Sequence, residues 1–175
     1  MKLTVTSSPH IRNKVNTRNI MLDVVIALLP ALLAGIVHFG IRALLVSVVC
    51  VAAALAAEWI CGKVILKRNT TADGSAIVTG LLLALTLPAA VPYEIAAIGS
   101  AFAIIVIKGM CGGLGKNIFN PALAGRAFLL LLWPAYIVRF TVPGAELSLF
   151  GSNVDAVTSS TPLHHMVMPA LPEES

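Results

Sequence analysis

The side chains best equipped for chemistry lie late in the sequence: Asp155, Thr158, Ser159, Ser160 and Thr161, followed directly by Pro162. Read alone, the stretch is a Ser/Thr-rich turn. It also has the attributes of a site for covalent modification. Thr161 offers an alcohol on a polar loop, and Ser159 and Ser160 are small enough to let a modifying enzyme approach. Pro162 restricts Thr161 toward an extended backbone.

A second unusual stretch runs from Gly112 through Gly113, Gly115, Lys116, Asn117, Asn120 and Pro121 to Arg126. Three glycines, two amides and a proline would unwind a helix at a membrane boundary, and the freed backbone groups must then be satisfied by protein or cofactor. One reading is a tight loop capped by Asn120, with Pro121 at the first helical position. The other is a cofactor or ion pathway lined by Asn117 and Asn120, with Arg126 as counter-charge. Water channels use the tripeptide Asn120-Pro121-Ala122 in pairs, and this chain carries one copy. Upstream, Asp73 or Ser75 could cap a helix that starts near Ala76, and that helix start could instead face an anionic cofactor.

Other polar residues carry less. Asp23 and Glu58 lie near the ends of apolar runs, where interface placement with snorkelling is the first reading and a cation or proton relay the second. His164 and His165 have no third ligand spaced nearby, so no metal is expected. Cys50, Cys61 and Cys111 are isolated and read as buried structural thiols, with a cluster shared with another subunit as the alternative. A sequon at 69–71 falls on the expected inner side.

These residues need elements to position them, and the composition says which. The chain is 58% hydrophobic and 11% charged, against about 25% charged in soluble domains. It cannot coat its own surface with solvated groups, so an all-α integral membrane protein is expected. Five apolar segments cover 20–37, 43–61, 76–90, 95–107 and 122–138. The third and fourth fall short of the roughly 20 residues a spanning helix needs. They read either as broken helices lining a site or as ordinary helices extending into polar flanks.

With residues 1–19 as a cytoplasmic tail and five crossings over 20–138, ten of the twelve Lys and Arg residues fall on or near the inner side, and Arg42 and Arg139 fall outside. Residues 139–175 then form an extracytoplasmic loop. The first eighteen residues are polar, and no cleavable signal peptide is expected. Nothing in the charge pattern suggests nucleic acid, and no GxGxxG follows a strand, so no NAD site is expected in the chain itself.

Several segments together resemble the RnfD component of the Rnf-type electron-transport complex, which is related to a membrane component of the sodium-pumping NADH:quinone reductase. They are Ser8-Pro9-His10-Ile11-Arg12 with Ile20-Met21-Leu22-Asp23-Val24, Asp73-Gly74-Ser75-Ala76 with Thr79-Gly80-Leu81, and, most specifically, Gly112-Gly113-Leu114-Gly115-Lys116-Asn117-Ile118-Phe119-Asn120-Pro121-Ala122. In that family a flavin transferase links FMN to threonine through a phosphoester. The resemblance makes Thr161 the acceptor, with Asp155 and Thr158 matching the flavinylation motif. Ala156, Ser159 and Ser160 stand where the motif has Gly, Gly and Ala.

The resemblance further implies a bacterial plasma (inner) membrane protein. It would relay electrons between ferredoxin and NAD, coupled to Na+ or H+ movement, in company with other subunits of the complex and membrane lipid. It also implies a second, non-covalent flavin, with riboflavin as the candidate, near Asn117, Asn120 and Arg126. The family's fold is a urea-transporter-like bundle of two repeats, of which these residues would form the first. Two rivals carry no redox cofactor: a half-bundle of a urea-transporter or water-channel type, and a structural assembly subunit.

Overall fold

A computed structural model describes residues 16–63, 73–109, 119–138 and 141, and the regular elements among them are helices. Helix α1 spans Thr17–Phe39 and α2 spans Ile41–Cys61. Both are long and apolar enough to cross a membrane. One residue separates them. Gly40 has φ +73°, a conformation other residues resist, and its N–H donates to Ile36 O at 2.9 Å. The loop expected at 38–42 therefore shrinks to a single glycine.

Helix α1 buries no residue, and Pro30 sits inside it without ending it. Its large side chains, among them Ile26, Leu33 and Val37, are exposed, as expected of a surface solvated by lipid. Helix α2 is the strut against which α1, α3 and α4 pack. Its buried positions are Arg42, Val46, Ser47, Cys50, Ala54, Ala57, Glu58 and Cys61. They recur at three and four residues and so form one stripe. The stripe holds mainly small residues, while Val48, Trp59 and Ile60 point outward. Small residues inside and large apolar ones outside is the pattern of helices packed within a bilayer.

The remaining helices are short. Helix α3 covers Ser75–Thr86, and residues 87–92 leave helical geometry before α4 begins at Tyr93. The expected run over 76–90 thus stops at Thr86. Helix α4 covers Tyr93–Phe102 and continues as a π-helix over Ala103–Gly109. Helix α5 covers Pro121–Leu132, and Trp133 interrupts the expected fifth segment before the one-turn α6 at Pro134–Ile137. At 12 residues, α3 and α5 are each about 18 Å long, well short of the roughly 30 Å of a hydrocarbon core.

Glycines set how closely the helices cross. A Cβ on Gly80 would lie 2.9 Å from both Cys50 O and Val51 Cα, so α3 rides on the bare backbone of α2. Gly99 faces the Leu129 side chain, and a Cβ on Gly125 would meet Ala103 Cβ and Gly99 O at 3.0 Å. Beside that crossing Phe102 and Phe128 stack with centroids 3.8 Å apart.

The two kinds of glycine should respond oppositely to a methyl group. Gly80→Ala pushes on backbone atoms that cannot rotate away and should cost about 1–3 kcal/mol. Gly35 in α1 has nothing within 4 Å of its added Cβ, so Gly35→Ala should be neutral or stabilise by up to about 1 kcal/mol. Thermal unfolding of both variants in detergent checks this, and equal shifts would refute the crossing.

Candidate functional site

Among the described residues, two polar clusters interrupt the apolar interior, one at each end of α2. Arg42 in its first turn and Glu58 in its last are separated by about 24 Å along the axis.

The first cluster serves the non-helical residues 87–92. A chain that leaves helical geometry in apolar surroundings strands its carbonyls. Arg42 answers this: Nε donates to Ala89 O at 3.0 Å, and Nη2 reaches Val91 O at 3.4 Å and Ala90 O at 3.5 Å. Its guanidinium also lies 4.9 Å from the centre of the Tyr93 ring. The charge pattern alone put Arg42 in an outer loop. Instead it is a helical residue, 1% exposed, because the turn before it is only one residue long.

Arg126 does similar work for α3. Its Nη1 donates to the carbonyl of Thr86, the last helical residue, at 2.6 Å, where a cation also complements the helix dipole. Between α1, α2 and the end of α3 opens a cavity of about 630 Å³, within the range of small-molecule sites. Apolar side chains such as Ala31, Leu32, Val46 and Leu87 form its walls, and His38, Ser47, Thr86, Arg126 and Thr141 supply polar groups.

The second cluster joins three elements. Lys108, in the π-helix, donates to Glu58 Oε1 of α2 and, at 2.6 Å, to Ser75 Oγ at the start of α3. Glu58 is 2% exposed and Lys108 7%. Glu58 Oε2 has no hydrogen-bond partner among the described residues. The snorkelling read for Glu58 does not occur: its carboxylate is buried and paired with Lys108, though it does lie in the last turn of α2. Its partner lies 50 residues away in sequence. Asp23, by contrast, is exposed on α1.

The sequence-predicted residues fare unevenly. Asn120 caps α5 as expected, accepting from Ala122 N at 3.0 Å with Pro121 at the first helical position. Asp73 and Ser75 do not cap α3. Gly74, at φ +69°, takes the N-cap position, and Ser75 turns its hydroxyl to Lys108. Asn120 is exposed, and Arg126 turns to Thr86 rather than to a carboxylate. Cys50 and Cys61 are buried free thiols. Asn117, Cys111, Asp155, Thr158, Ser159, Ser160, Thr161, His164 and His165 lie outside the described residues. Sequence reasoning missed the Glu58–Lys108 pair and the Arg42 cap. No local feature of the sequence marked Lys108 as inward-facing.

The cap makes a quantitative demand. Arg42→Leu leaves up to three carbonyls without their donor, and about 1–3 kcal/mol is lost for a buried group so stranded. Thermal unfolding should show a drop of at least that size, larger than for Arg126→Leu, which frees one carbonyl in a half-buried position. A midpoint unchanged in Arg42→Leu would show that residues 87–92 find other donors.

Comparison with known proteins bears on the whole chain. The model of the NQR2, RnfD, RnfE family matches residues 4–173. The chain is 45% identical over 163 residues to the D-subunit of the Na(+)-translocating ferredoxin:NAD(+) oxidoreductase complex of Acetobacterium woodii, covering 93% of this chain and 49% of that protein. It is 45% identical over 160 residues to the D-subunit of the proton-translocating ferredoxin:NAD(+) oxidoreductase complex of Clostridium ljungdahlii, covering 91% and 46%. With the D-subunit of the ion-translocating oxidoreductase complex of Rhodobacter capsulatus it shares 36% over 174 residues, covering 91% and 49%. The chain thus spans about half the length of these relatives.

Proposed function

This chain belongs to the NQR2, RnfD, RnfE family, and we propose from that membership that it is a membrane subunit of an ion-translocating electron-transport complex working between ferredoxin and NAD. Its redox group is FMN bonded through phosphate to Thr161. The observation that carries this reading is the family match, which extends through residues 155–161. Two of the relatives named above are subunits of ferredoxin:NAD(+) oxidoreductase complexes, and that chemistry is served by a one- and two-electron carrier of the kind a flavin supplies.

The protein's own part is to tether, orient and exclude. Asp155, Thr158, Ser159 and Ser160 form the motif that a flavin transferase reads. Thr141, which lines the 630 Å³ cavity, stands about twenty residues before Thr161, and a segment of that length reaches up to about 70 Å. The cavity's size suits a three-ring system, and its chemistry fits as well. Apolar walls would flank the plane of such a ring, with His38 as a donor to its polar edge. Near the Asn120 cap and Arg126, a non-covalent riboflavin is the second cofactor of this reading, with Asn117 as a contact.

Five crossings with a cytoplasmic N-terminus put residues 139–175 outside the bacterial inner membrane. Helices α1 and α2 are long enough to cross, and α3, α4 with its π-helix, and α5 with α6 serve as shorter, broken crossings. In this arrangement residues 20–138 form the bundle, and the other subunits of the complex bring electrons to and from it.

Peptide mass spectrometry over residues 154–166 tests the core of the proposal. Chain produced together with its flavin transferase should carry the mass of FMN less water on Thr161 and fluoresce in a denaturing gel, and Thr161→Ala should lose both. Equal fluorescence in the two would disprove the acceptor, and a colourless wild type would favour a transporter-like half-bundle.

A further inference from the structure

We infer that the side of α1 carrying Asp23 is a subunit interface, covered in the assembled complex by a membrane-spanning helix that sets a Lys or Arg side chain against the Asp23 carboxylate. The inference rests on the reading of this chain as a subunit of a larger membrane complex. Its test reads assembly and not flavin, so FMN can be attached to Thr161 while this interface fails, and the reverse.

The position of Asp23 carries the first step. It lies about 9 Å along the helix axis from Thr17, where α1 begins, and its neighbours Met21, Leu22, Val24, Val25 and Ile26 are all apolar. The 23 residues of α1 make a helix about 35 Å long, only slightly longer than the roughly 30 Å of a hydrocarbon core. Asp23 therefore falls inside the apolar layer. Lys and Arg reach back to the surface on long stems, and the single methylene of aspartate is too short for that. Acids within spans accordingly face the interior of a bundle and find a partner there.

Within this chain Asp23 does neither. The half-buried residues Met21, Val25, Leu28, Leu32 and Ile36 recur at three and four and mark the side of α1 turned to α2 and α3. Asp23 points away from that stripe, with Asn19 and Ala27 one turn to either side, and all three are exposed. The single ion pair among the described residues joins Lys108 to Glu58. The basic residues at the same end of the bundle face elsewhere. Arg18 lies about 140° around α1 from Asp23, and Lys63 holds its ammonium 4.8 Å from the centre of the Trp59 ring. What is the outer face of this chain at that level is thus the inner face of something larger.

The carboxylate selects the occupant. Lipid tails offer it nothing. A second copy of this chain would bring up α1 in the same orientation, with its own Asp23 near the contact and its Arg18 more than a turn nearer the surface, so like charges would meet. A helix of a different subunit with a Lys or Arg at this level supplies the missing charge, and Ala27, which lacks bulk, lets that helix come close. Removing one member of such a desolvated pair strands the other, so the pair holds the two subunits together.

The test produces the chain together with the other subunits of its complex and measures their recovery with it in mild detergent. Asp23→Leu should lower the recovery of the partner about tenfold or more and Asp23→Asn nearly as much, while Asp23→Glu keeps most of it. Thermal unfolding of the chain alone should be unchanged or raised in Asp23→Leu, because leucine suits lipid better. That split separates an interface from a role in the chain's own fold. A benzophenone amino acid in place of Ala27 should, on illumination, join α1 to one other subunit, in a membrane-spanning segment and within a turn of a Lys or Arg. Undiminished recovery with Asp23→Leu would overturn the proposal. So would cross-links confined to a second copy, to this chain's own residues or to lipid. Should Asp23→Leu be produced too poorly to compare, the position of the cross-link decides.

Discussion

A backbone that stops being helical among apolar side chains must find donors for its carbonyls, and in this protein Arg42 supplies them. Without its bonds to Ala89, Ala90 and Val91, residues 87–92 would have to run on as helix or reach water. The bend they make lets α3 end after 12 residues and α4 return along α2. Arg126 completes the arrangement at Thr86. The cavity lies where the third helix is cut short, so cavity and cap share one cause.

The same logic explains why α2 is so plain. A strut that takes α3 at Gly80 and α4 through Ser100, whose Oγ donates to Cys50 O at 2.6 Å, cannot carry bulk on its inner face. Ala54 and Ala57 keep it thin. Its hydrophobicity is therefore nearly uniform around the axis. What distinguishes inside from outside is size, because lipid gives no reward for hiding Val48 or Ile60.

This bears on what the sequence could disclose. The long apolar runs located α1 and α2, and the Asn120-Pro121 pair marked the start of α5, because both signals are local. Arg42 read as a loop residue since a charge beside Gly40 between two apolar runs ordinarily is one. Only the one-residue turn, a matter of φ at Gly40, returns it to the helix. Glu58 and Lys108 are joined by folding across 50 positions, and nothing near either names the other. The π-helix was invisible to a 3.6-residue period. For Thr161 and its neighbours the reading rests on a motif and on the family match, since they fall outside the described residues.

The two polar clusters differ in kind, and the difference argues for a division of labour along α2. At one end the charges are guanidinium forks committed to fixed carbonyls beside an apolar cavity. Such groups hold a shape and lend positive potential to the cavity beside them. At the other end the charge is a buried ammonium shared between a carboxylate and a hydroxyl, which ties the π-helix to α2 and α3. About 24 Å of helix, stiffened by bare-backbone contacts at Gly80 and the Ser100 bond, separates them. Besides α2 itself, α3 joins the two ends: its first residue, Ser75, touches Lys108 and its last, Thr86, is held by Arg126.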